Sequence, residues 1–88
     1  MVADRKVLLT GAITVETAHT WVDRYPAGSG DVVINMGGVT ESDSALIALL
    51  VGWWRRAERE GVAIRIEQPP AAVLQLAQIY GVDSLLFS

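Results

Sequence analysis

The apolar positions of this chain change period several times, and each change marks an element boundary. Residues 6–10 form a short apolar run that predicts a strand, with Gly11 marking a turn or bulge. From Thr14, a candidate N-cap, Ala18, Trp21, Val22 and Tyr25 follow the i, i+3, i+4, i+7 spacing and predict a first helix. Pro26 and Gly28-Ser29-Gly30 end it. In residues 31–35 the run Val32-Val33-Ile34 is continuous rather than alternating, which predicts a strand buried on both faces.

Gly37 to Leu46 then reads as a strand-to-helix crossing, with the two glycines letting the backbone turn. A second helix over residues 43–60 follows, carrying Leu46, Leu49, Leu50, Trp53 and Ala57 as its core stripe and Gly61 as its stop. Val62, Ile64 and Ile66 alternate with Ala63, Arg65 and Glu67, the pattern of a strand with one wetter face. Pro69-Pro70 opens a third helix with Val73, Leu76, Ala77 and Tyr80 on one side, and Gly81 closes it. Leu85-Leu86-Phe87 is a candidate final strand.

Strands joined through helices of this length need crossovers, so at least part of the sheet is parallel. The expected class is α/β: one domain over residues 1–88, with a mixed or parallel twisted sheet of about four strands packed by about three to four helices.

Composition narrows the function. The formal net charge is −3 with no basic run, which argues against nucleic acid as a ligand. The absence of cysteine removes disulfides, thiolate metal sites and cysteine nucleophiles, and a single histidine leaves no pair to hold zinc. No apolar stretch is long enough to span a bilayer, and Asp4, Arg5 and Lys6 interrupt any signal-like core, so a cytoplasmic domain is expected. His19 falls off the apolar stripe of its segment and reads as a surface residue. Ser44, His19 and Asp31 or Asp43 supply the residue types of a triad, but the serine lacks its G-x-S-x-G elbow; no Gly-Lys-Ser/Thr phosphate loop follows the glycines either. No catalytic residue, metal site or cofactor is expected.

The chemistry concentrates at Thr40-Glu41-Ser42-Asp43-Ser44. Ser42 or Asp43 can accept hydrogen bonds from first-turn N–H groups as an N-cap. Ser44, at the first helical turn, can instead be a phosphate acceptor or a partner contact. Ile47, Val51 and Trp54 lie beside the core stripe and widen the apolar arc beyond the ~100° a core-facing helix needs. They either cover the sheet broadly or anchor a partner. Arg55, Arg56 and Arg59 take the polar side.

Three segments carry a resemblance: Thr10-Gly11-Ala12-Ile13-Thr14, the run Asp43-Ser44-Ala45-Leu46-Ile47-Ala48-Leu49-Leu50, and the run from Leu76 through Tyr80-Gly81-Val82-Asp83 to Leu86. Together they resemble the STAS domain family, and most closely its MlaB-like members, the small subunits of a lipid-asymmetry ABC transporter. The resemblance implies a STAS fold and a non-enzymatic regulatory role. It implies contact with the transporter's ATPase subunit through Thr40, Glu41, Ser42, Asp43, Ser44, Ile47, Val51 and Trp54. It also implies a cytoplasmic site peripheral to the inner membrane through that partner, without insertion into the bilayer. The alternative it carries is an anti-sigma-factor antagonist, in which an anti-sigma kinase phosphorylates Ser44. Ala45-Leu46 stands where that family has a small pair after the regulatory residue, which favours a constitutive contact. Only Met1 to Asp4 are available for the usual first strand, so that strand is expected to be missing or supplied by another chain, with homodimerisation as a consequence.

Overall fold

A computed structural model describes residues 4–87. Three parallel strands, β1 (Arg5–Ile13), β2 (Val32–Ser42) and β3 (Ile64–Glu67), form one sheet in the order β1-β2-β3. Three helices, α1 (Ser44–Glu60), α2 (Ala71–Ile79) and α3 (Asp83–Leu86), complete the fold. The α/β expectation holds, with three strands among the described residues. The usual first strand, expected to be missing or supplied by another chain because only Met1 to Asp4 are available for it, falls outside them except for Asp4, which precedes β1.

β1 alternates along its length: Arg5, Leu9 and Ile13 are buried, while Lys6, Leu8, Thr10 and Ala12 are exposed. One face of the sheet therefore carries the core. Val32, Ile34 and Met36 enter it from β2 and meet Leu46, Leu49, Leu50 and Trp53 from α1 and Val73 and Ala77 from α2. Burial of this apolar surface is the main stabilising term. The continuous run on β2 is buried on both faces as expected, but the second cover is not a helix layer. Val33 is 1% exposed yet lies outside the core cluster. Its register neighbours are Lys6 and Arg65, and Arg65 Nη2 reaches Asp4 Oδ2 at 3.0 Å. Val33 is thus flanked in register by long charged residues on both neighbouring strands.

Three elements differ from the sequence reading. Residues 14–25 make two short 3-10 turns, Ala18–Thr20 and Val22–Arg24, instead of an α-helix. Here hydroxyls take the backbone partners a helix would use: Thr17 Oγ1 accepts from Thr14 N and donates to Ala12 O, and Thr20 Oγ1 donates to Thr17 O. Trp21 and Tyr25 still reach the core, but Val22 is 55% exposed. Next, Gly37 and Gly38 do not turn the chain. They lie inside β2, which runs on to Ser42, and two register shifts against β1 accommodate an extra β2 residue each. A Cβ on Gly38 would stand 2.8 Å from Thr10 Cγ2, so close strand approach is what needs glycine there. Finally, 85–87 is not a strand. Gly81 takes φ 70°, Val82 N bonds back to Ala77 O, and the chain folds into the single turn of α3, burying Leu86.

The far end of α1 is tied down by one polar cluster. Arg5 is 7% exposed and its guanidinium donates to Gly30 O, Pro26 O and Glu60 Oε1. Tyr25 Oη donates to the same Glu60 oxygen at 2.7 Å, and Arg56 lies 4.3 Å from the Tyr25 ring centre. The Tyr25 and Arg5 hydrogen bonds hold the Glu60 carboxyl below its ordinary range. Burial first, then the bond to Glu60, pushes the Tyr25 phenol up.

Candidate functional site

Asp43 organises the start of α1. It is the N-cap in extended conformation, and its Oδ1 accepts from Ala45 N at 2.8 Å. Its Oδ2 accepts from Val15 N at 3.0 Å, joining the loop after β1 to the helix across 28 positions of sequence. The cap is therefore Asp43 and not Ser42. With Asp43 supplying both bonds, the Ser44 hydroxyl has no hydrogen-bond partner among the described residues, and the side chain is exposed.

From Ser44 a ridge of small residues runs along the outer face of α1. Ser44, Ala48 and Gly52 recur every four positions and are all exposed, so they lie above one another on one side of the helix. Shallow clefts flank this ridge. One is walled by Val51, Arg55 and the ring of Tyr80, with Ile47 in its floor. The other is walled by Ala18, Val22, Trp53, Arg56 and Arg59. Both clefts share Ala48 and Gly52, so the ridge is continuous with apolar walls on each side and arginines toward the helix C-terminus. A ridge without side-chain bulk lets another backbone or helix approach closely, and exposed apolar walls supply burial on contact.

The eight residues expected to contact a partner do not form one surface. Ser44 and Val51 lie along the cleft beside the ridge. Ile47 is 5% exposed and belongs to the core, which corrects its reading as an exposed anchor: α1 turns it toward the sheet because the helix buries a broad arc. Trp54 is half-buried and packs against the core cluster. Thr40, Glu41 and Ser42 lie at the end of β2 beside Pro70 and Ala72, in a depression that shares no residue with the α1 clefts. Asp43 acts through its two hydrogen bonds. His19 is exposed as expected and contributes to the wall of the Val22 cleft.

Sequence reasoning missed Ala48, Gly52, Val22 and Tyr80. The small pair had a signal, since it repeats the position of Ser44 every four residues. Tyr80 did not: its helical spacing placed it with Val73 and Ala77, yet it is 54% exposed because α2 ends at Ile79 and Tyr80 falls at the C-cap. Among the described residues no group of three or more His, Cys, Asp or Glu side chains is placed to hold a metal ion, and no helix is long and apolar enough to cross a membrane.

Residues 2–87 match the family described as the MlaB STAS domain, and the chain belongs to that family. No curated protein matches it. Members of this family are generally non-catalytic and act through protein–protein contacts, the role for which an exposed serine at the head of an apolar-walled ridge is suited.

Proposed function

We propose that this chain is a non-enzymatic regulatory subunit that docks on the cytoplasmic ATPase of a phospholipid-transporting ABC system. The observation that carries the reading is the division of labour at the start of α1. Asp43 takes the whole capping role, so Ser44 stands exposed with an unpartnered hydroxyl at the head of the Ser44-Ala48-Gly52 ridge. Interfaces of this kind take their energy from a few buried apolar anchors, and here the walls offer Val22, Val51 and Tyr80. Arg55, Arg56 and Arg59 at the far end favour a partner segment that is acidic there. In this reading the subunit sits at the inner face of the membrane through its partner.

Co-expression with the ATPase subunit of such a transporter from the same organism provides the test. The native chain is expected to co-purify, and Ser44→Arg, which adds bulk at an exposed position without touching the core, is expected not to. Retention of the ATPase by a folded Ser44→Arg variant overturns the assignment of this surface. Incubation with candidate anti-sigma kinases distinguishes the phosphoswitch reading, because phosphate incorporated at Ser44 is required only there.

A further inference from the structure

The sheet has an unpaired edge with a consistent geometry. β1 is the outermost strand on its side and spans nine residues, Arg5–Ile13. Arg5 N donates to Asp31 O, so Arg5 directs its backbone groups toward β2. The two-residue repeat of a strand then sends the N–H and C=O groups of Lys6, Leu8 and Thr10 the other way, to the open side. Among the described residues nothing pairs with that edge. The side chains of the same three residues share the helix-free face, and Leu8 at their centre is 57% exposed. The stretch from Arg5 to Thr10, which ends at the positive-φ Gly11 and carries a central exposed leucine, is a template for another strand.

We propose that the occupant is a second copy of this chain, paired antiparallel through β1 about a two-fold axis at Leu8. Self-complementarity points to this partner. An axis at Leu8 places Leu8 opposite Leu8 of the second copy and Lys6 opposite Thr10, so that about six backbone hydrogen bonds form across the edge. The two leucine side chains cover one another on the helix-free face. Each Lys6 is kept from its counterpart by four residues of strand, roughly 14 Å, which exceeds the screening length of about 8 Å at physiological salt. Like charges are therefore not opposed anywhere along the pairing. The result is a continuous six-stranded sheet with both α1 ridges left free, and it does not rest on the docking function proposed above.

The test is the mass of the full chain by light scattering up to millimolar concentration, together with single cysteines in this otherwise cysteine-free sequence. The expected mass rises to twice the 9.5 kDa chain mass. Leu8→Cys is expected to cross-link to itself on mild oxidation, since opposed residues of a hydrogen-bonded pair have Cα atoms about 5.5 Å apart, within disulfide reach. Lys6→Cys is expected not to. Leu8→Lys, which places two cations at the axis, is expected to return the mass to that of one chain while its circular dichroism stays native. A single-chain mass at every concentration overturns the proposal. So does a dimer that survives Leu8→Lys, or one that cross-links at Lys6→Cys as readily as at Leu8→Cys.

Discussion

Asp43 caps α1 while Ser44 makes no hydrogen bond among the described residues, and stability measurements can separate the two. Asp43→Ala removes the bond to Ala45 N and the bond to Val15 N. Loss of an N-cap costs about 1 kcal/mol. The Val15 amide lies in an exposed segment and regains water when released, so that second bond adds only about 0.5 kcal/mol. The sum, about 1.5 kcal/mol, corresponds to a fall in Tm of about 6–12 °C for a domain of this size. Asp43→Ser keeps a capping oxygen but cannot reach both amides, so it is expected to lose about a third of that amount. Ser44→Ala, at an exposed residue with no hydrogen bond, is expected to stay within about 0.5 kcal/mol of the native chain. Urea denaturation followed by circular dichroism measures all three. The reasoning is refuted if Ser44→Ala destabilises as much as Asp43→Ala, or if Asp43→Ala matches the native chain.

Arg5→Lys is expected to destabilise by about 2 kcal/mol or more in the same assay, because a single ammonium cannot reproduce the fork that joins the Pro26 and Gly30 carbonyls to Glu60. The Glu60 carboxyl is held down in the folded protein, so its stabilising contribution is complete above the ordinary glutamate value of about 4.3 and is lost as pH falls through its lower folded pKa. Glu60→Gln is expected to flatten that part of the acid-unfolding curve; an unchanged curve contradicts the assignment. Gly38→Ala drives a methyl against Thr10 Cγ2 and is expected to cost about 1–3 kcal/mol, whereas Gly37→Ala meets the movable side-chain ends of Gln68 and Asn35 and is expected to cost less. Equal losses for the two alanines in thermal melts contradict the close-approach argument.

The parts of the fold that were legible in the sequence are those where a single period dominates. Helix α1 could be read almost to the residue because its core stripe, a cap at Ser42 or Asp43 and the Gly61 stop agree with one another. Alternation also announced β3, although the strand begins at Ile64 rather than Val62. Where side-chain hydroxyls compete with the backbone, as at Thr17 and Thr20, helical spacing of apolar residues was present without a helix. Gly37-Gly38 looked like a turn because glycine serves both turning and close strand approach, and only the Thr10 contact tells them apart. The terminal Leu85-Leu86-Phe87 run was too short for its period to decide between strand and helical turn. At the site, Ser44 stood out by its neighbours, but the ridge it heads became visible only once Ala48, Gly52 and the ring of Tyr80 were placed in space.

On the proposed function, the Ser44 ridge is the surface that holds a transporter ATPase. The most direct measurement is affinity co-purification of the ATPase with the native chain, Ser44→Arg and Gly52→Leu, each checked for native circular dichroism. ATPase is expected in the native eluate and is expected to be lost from both variants, since both fill the ridge at exposed positions. Recovery of the ATPase at native levels with both folded variants would contradict the proposed role of the ridge.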